Sequence, residues 1–182
     1  AEISERIVAA SETTGIGLAH LPVLYRLGGF GSREPSSQQG RFIHEPDEFF
    51  LLLEKLFPLF EKHPNRRLGM APHSLRAVSS DLLSKVLPEF QRLCPGAPLH
   101  LHISEQTAEV EECLEWSGLR PVQWLFENLE PDSNWCLIHA THLDSQERRT
   151  LAESQLTVGL CPTTEANLGD GIFPMQEFME EG

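Results

Sequence analysis

Residues 98–106 (PLHLHISEQ) bring His102 and Glu105 to the end of a short apolar run, three residues apart. Residues 135–142 (WCLIHATH) end in a second imidazole cluster, His139 and His142. An apolar strand that delivers His and Glu at its C-terminal end is how a parallel barrel builds a metal-dependent hydrolytic site. Neutral imidazole is a good zinc donor. A metal ion can bring the pKa of a water down to about 7. A carboxylate beside that water can take its proton and hand it to a departing amine. His102 is therefore the candidate metal ligand and Glu105 the candidate proton relay. His139 is either a second ligand or the group that steadies the attacking water. Strand side chains alternate faces, so His100 shares a face with His102 but lies farther from the strand's end. His100 reads as structural and His142 as belonging to the local connection. An earlier run, residues 71–76 (APHSLR), ends in His73 and Arg76. A guanidinium there can grip a carboxylate with two hydrogen bonds, and an ordinary surface cation is the competing reading.

These side chains need a scaffold, and the chain alternates strand-like with helix-like stretches. Strands are predicted over residues 15–24, 68–75, 99–104, 135–138 and 156–160. Near-continuous apolar runs of this kind suit strands covered on both faces. Helices are predicted over 48–61, where Pro58 kinks or ends the element, and over 81–93, capped by Ser79 or Ser80. Two more run over 107–116, closed by Gly118, and over 121–129, with Pro121 in the first turn. Asp144 and Glu147 resemble a capping box for a helix through Ala152. Such alternation argues for a parallel sheet of βαβ units. Five strands cannot close an eight-stranded barrel, which takes ~250 residues. The chain is then a five-stranded open sheet or a middle piece of a barrel. The second is expected, because the sequence opens inside a helix-like segment and closes on the acidic stretch 176–182. Residues 25–46 form a long Gly-, Ser- and Gln-rich connection, either a lid or a mobile surface loop. Its Arg33 and Arg41 could meet an anionic ligand.

Composition narrows the partners. A formal charge of −13 disfavours nucleic acid. No apolar run approaches the roughly 20 residues of a membrane helix, and residues 1–10 are amphipathic rather than signal-like. The four cysteines form no CxxC pair and read as reduced thiols of a cytoplasmic protein. Gly169-Asp170-Gly171 lacks the spacing of a dinucleotide loop, and no nucleophile elbow is present.

His102-x-x-Glu105, the strand end at 139–142 and residues 161–171 (CPTTEANLGDG) together resemble the amidohydrolase superfamily, on its deaminase branch. The runs 100–116 and 161–171 are similar to the member of that branch that acts on N-formimino-L-glutamate, and the resemblance extends over essentially the whole chain. It implies an α/β fold, a (β/α)8 TIM barrel of the metal-dependent hydrolase type. Residues 1–182 would be a partial barrel, about strands 3–7, with an accessory β-sandwich and strands 1, 2 and 8 outside this chain. It also implies one zinc ion per site. His102 matches the fifth-strand ligand, Glu105 the proton-shuttling glutamate and His139 the histidine that steadies the hydroxide. His73 and Arg76 match the substrate-contacting end of the fourth strand. The first-strand HxH pair and the eighth-strand aspartate of the superfamily have no counterpart here. Residues 1–182 alone are therefore expected to be inactive, loosely folded and without tight zinc binding. The implied reaction is zinc-dependent hydrolytic deamination of N-formimino-L-glutamate to N-formyl-L-glutamate and ammonia. A deaminase of purine, pyrimidine or triazine rings is the enzyme alternative, and a non-catalytic α/β fragment is the alternative of another class. Arg76 favours a dicarboxylate over a flat ring. The expected partners are a small dicarboxylate substrate and a second copy in a homodimer, with neither nucleic acid nor membrane.

Overall fold

A computed structural model describes residues 1–181. Its elements in chain order are α1 (Glu2–Thr14), β1 (Leu18–His20), β2 (Val23–Leu24), α2 (Pro46–Leu56), β3 (Arg66–Leu68) and β4 (Ala71–Pro72). They continue with α3 (Ser80–Leu93), β5 (Leu99–Ile103), α4 (Thr107–Ser117), α5 (Pro121–Asn128) and β6 (Trp135–His139). The last are α6 (Ser145–Glu153), β7 (Thr157–Gly159), α7 (Pro162–Leu168) and α8 (Met175–Glu181).

The strands line up in parallel and in chain order. β1 pairs with β3 and β2 with β4. Bridges from Met70 to Leu99 and from Ser74 to His102 join these strands to β5. β5 then pairs with β6, and β6 with β7. Parallel neighbours in chain order, with helices between, are the wall of a (β/α)8 barrel. The described residues form a partial one.

Local chemistry accounts for most of the boundaries. Ser79 caps α3 by accepting from Leu82 N–H, and Leu83, Val86, Leu87 and Phe90 bury one face of that helix. Asp144 and Glu147 form the capping box of α6. Gly118 ends α4 in the left-handed region, with φ 76. Pro58 falls in a 3₁₀ turn that follows α2.

Two predicted segments differ. The strand expected over 15–24 is two short strands broken at Leu21-Pro22, where the proline cannot donate to the ladder. The strand expected over 68–75 begins earlier, at Arg66, and breaks at Gly69-Met70. Past His73 the chain turns, with Ala77 and Val78 N–H both donating to Ser74 O. Residues 162–168, which follow the last predicted strand, fold into α7.

Gly69 marks a close approach. A Cβ there would stand 2.5 Å from Pro98 O and 3.0 Å from Leu21 Cδ2. Gly69→Ala must push the β3–β4 junction away from the Pro98 backbone. It should destabilise the protein by about 1–3 kcal/mol, read as a lower thermal midpoint. An unchanged midpoint would show that this junction yields freely.

β5 shows how the sheet divides core from site. Leu99, Leu101 and Ile103 are buried toward the helices, and His100 and His102 face the other way, half-buried. Leu137 joins the helix-side core with Phe49, Leu53, Leu83, Phe90 and Leu125. Full burial of each such side chain contributes roughly 1.5–3 kcal/mol. The four cysteines are free thiols. Among the described residues no helix is long and apolar enough to cross a membrane.

Candidate active site

The chain leaves β5 through a kink. Ser104 has φ 50, in the left-handed region that costs a non-glycine residue about 1–2 kcal/mol. The kink is held by Glu109 from the first turn of α4. Its two carboxylate oxygens accept from Ser104 N–H at 3.1 Å and Glu105 N–H at 3.0 Å. Burial pushes the Glu109 carboxyl above the usual range, while the Glu105 N–H, the Arg76 charge and the Ser104 N–H pull it down. The clamp fixes the backbone from which Glu105 projects.

β6 ends in a second kink. Strict alternation would put His139 with Trp135 and Leu137 on the helix side. Instead His139 has φ 73 and Ala140 φ 49. The imidazole consequently lies beside His102, with ring centroids 5.5 Å apart. Its Nε2 is 3.3 Å from Glu105 Oε1, and its Nδ1 is 3.0 Å from Glu165 Oε1. Pairing continues beyond the kink, where Ala140 N–H donates to Ile103 O and His142 N–H to Ser104 O.

His102 and His73 form the other side. His102 Nδ1 lies 2.7 Å from His73 O. A carbonyl only accepts, so Nδ1 carries the hydrogen and Nε2 keeps a bare lone pair in the neutral ring. Burial holds His102 below its ordinary pKa; the His73 carbonyl and the Glu105 charge oppose it, and the charges of His139 and Arg76 add to it. The His73 ring stacks on His102 at 4.8 Å. Burial, then the charges of His102 and Arg76, hold His73 down to about 3, so it is neutral at physiological pH.

Arg76 makes no ion pair among the described residues, yet its charge acts on His73, His102 and Glu109. It lines a cleft of about 540 Å³ with His73, Tyr25, Arg41, Phe42 and His44. Four of those residues come from the 25–46 connection. Gln39 Nε2 donates to Tyr25 Oη at 2.9 Å, and Tyr25 meets the His73 ring edge-on at 4.7 Å. This stretch of the connection thus wraps onto the site. Arg41 lies over the Phe42 ring within the cleft, whereas Arg33 reaches Glu112 on α4 instead.

All five candidate residues from the sequence, His73, Arg76, His102, Glu105 and His139, gather where β4, β5 and β6 end. His100 lies apart, among Pro98, Asn134 and Trp135. His142 Nε2 donates to Asp170 O at 2.6 Å, tying two connections together. Sequence reasoning missed Glu109 and Glu165. A usable signal existed for Glu109, a carboxylate in the first turn of a helix whose preceding N–H groups need acceptors. Glu165 offered none, because its partner is far away in sequence.

The donor set fits a metal ion. His102 presents an uncommitted imidazole nitrogen and fixes its other nitrogen on a backbone carbonyl, the usual arrangement around a metal-bound histidine. His139, Cys161 and Glu165 also offer ligand atoms within 4.8 Å of one another. In that trio, however, Glu165 Oε1 already accepts from His139 Nδ1–H and from Cys161 N–H. It reads as an orienting cluster.

The model of the amidohydrolase family matches residues 37–182. The chain is 46% identical over 182 residues to a formimidoylglutamate deiminase of Pseudomonas aeruginosa, covering 100% of this chain and 39% of that protein. It is 34% identical over 116 residues to a 5-methylthioadenosine/S-adenosylhomocysteine deaminase of Natronomonas pharaonis, covering 64% of this chain and 26% of that protein. An amidohydrolase crystal structure from Brucella melitensis superposes with a TM-score of 0.91 at 46% identity, over 100% of this chain and 40% of that one. A zinc-bound adenosine deaminase of Xanthomonas campestris superposes at 0.77 and 21% identity, over 96% of this chain and 37% of that one, a likeness of fold alone. The chain therefore spans about 39–40% of the length of the two proteins it matches end to end.

Proposed function

This chain belongs to the amidohydrolase family, and on that footing we propose that the whole protein deaminates N-formimino-L-glutamate by hydrolysis, giving N-formyl-L-glutamate and ammonia. Residues 1–182 supply the middle of its (β/α)8 catalytic domain. The observation that carries the substrate choice is Arg76, a guanidinium without an ion-pair partner among the described residues, beside two neutral histidines. A half-buried cation of that kind asks for a carboxylate.

His102 Nε2 would be one donor to a zinc ion, with the remaining donors supplied from outside this chain. When bound, the ion supplies Lewis acidity and lowers the pKa of water. Glu105 takes the attacking water's proton as a C–O bond forms at the formimino carbon. Glu105 passes that proton to the terminal nitrogen, and then carries the adduct's remaining hydroxyl proton to it as the C=O bond forms and the C–N bond breaks, so that the nitrogen leaves as ammonia. The nitrogen on the glutamate stays and becomes the amide of the product. His139 stands against Glu105 and holds the water by a hydrogen bond. His73, uncharged, packs beside Arg76 and orients the bound substrate.

A panel of N-formimino-L-glutamate and adenine nucleosides, with ammonia as the readout, tests this. Ring deamination without release from formiminoglutamate would overturn the substrate. Arg76→Ala should raise KM for the dicarboxylate by about tenfold or more, since each charge-assisted hydrogen bond is worth about 1.5–3 kcal/mol. An unchanged KM would return Arg76 to the surface.

A further inference from the structure

We propose that Glu165 is a positioning residue for His139, fixing its ring orientation and the nitrogen that carries hydrogen. This rests on the reading of His139 as a member of the active site. Glu165 sits on α7, after β7, and meets the His139 ring at the nitrogen that Glu105 does not. Both partners are buried, His139 at 3% and Glu165 at 5% relative exposure.

The geometry makes the assignment specific. Glu165 Oε1 is 3.0 Å from His139 Nδ1 and also accepts from Cys161 N–H at 2.8 Å. An ionised carboxylate only accepts, so the hydrogen belongs on Nδ1. That leaves Nε2 as the nitrogen turned to Glu105, 3.3 Å away. The ring would otherwise turn about its Cβ–Cγ bond, because no other side chain or carbonyl bonds Nδ1 among the described residues. The backbone offers no substitute. His139 and Ala140 have φ 73 and 49, and that strained kink aims the side chain without setting its rotation. The Cys161 N–H contact ties Glu165 to the start of its own helix, so the carboxylate is held from two directions. A carboxylate behind a histidine is a recurrent way to fix tautomer and orientation, and its loss typically costs about 10- to 100-fold in activity.

The test uses the full-length, metal-loaded protein with Glu165→Ala and Glu165→Gln. Ring ¹⁵N shifts of His139, assigned with His139→Asn, are read alongside kcat and KM. Glu165→Ala should lower kcat about 10- to 100-fold at unchanged KM and shift the His139 ring nitrogens toward a mixed tautomer. Glu165→Gln keeps an acceptor oxygen for Nδ1–H and should restore the wild-type ring spectrum and most of kcat. Wild-type ring shifts in Glu165→Ala would overturn the inference. So would equal losses in both variants with matched falls in melting temperature, which would make Glu165 only a helix-start contact. The ring spectrum needs no substrate. If formiminoglutamate is not turned over but the spectrum still responds to Glu165→Ala, the substrate reading fails and the positioning role stands.

Discussion

Glu105→Gln in the full-length protein is expected to cut kcat by at least ~100-fold, the usual cost of losing a general acid–base group. The variant should hold its metal content nearly intact. Glutamine keeps the length and shape of the side chain. The backbone clamp survives, because Glu105 N–H, not its side chain, donates to Glu109. What disappears is a group that can accept a proton from water and release it to nitrogen. An interaction used in the transition state and not in substrate binding lowers kcat without raising KM. Steady-state kinetics with elemental analysis of the bound metal checks both halves. Near wild-type turnover would refute the relay role.

His102→Ala is expected to do more. A residue behind a metal ligand costs about 10- to 100-fold when lost, and removing a donor itself should exceed that. Metal content should fall well below that of the wild type, and activity with it. The fold should survive, because His102 lies on the inner face of β5, whereas Leu99, Leu101 and Ile103 hold the strand to the helices. His100→Ala, on the same face but away from the strand's end, should keep its metal. Undiminished metal content in His102→Ala would make His102 a hydrogen-bonded structural histidine.

Much of this architecture is legible from local patterns. Leu99, Leu101 and Ile103 alternate with His100 and His102, which by itself yields a strand with two unlike faces. Ser79 and the Asp144–Glu147 pair mark helix starts because the orphan N–H groups they satisfy lie within three residues. The spacing of His102 and Glu105 puts both at one strand end, whatever surrounds them. The break between β3 and β4 has no such local mark. It depends on how closely Gly69 approaches Pro98, which joins residues that are distant in the chain.

The site divides along the same line. The residue types that could do hydrolytic chemistry, and their place at the ends of successive strands, are properties of short segments. Their mutual aim is not. Alternation alone turns His139 toward the helices. Only the left-handed backbone at His139 and Ala140 brings its ring to His102 and Glu105. Such a conformation is unfavourable in isolation and persists because the folded surroundings enforce it. Glu109 and Glu165 likewise look like ordinary helix carboxylates until burial removes water from them. Once buried, each must find donors, and the donors available are the backbone of the β5 kink and the imidazole of the β6 kink. Which groups stand at the strand ends is therefore written in short stretches of chain. Which way those groups face is set by the assembled fold, because it depends on desolvation and on hydrogen bonds between segments far apart in the chain.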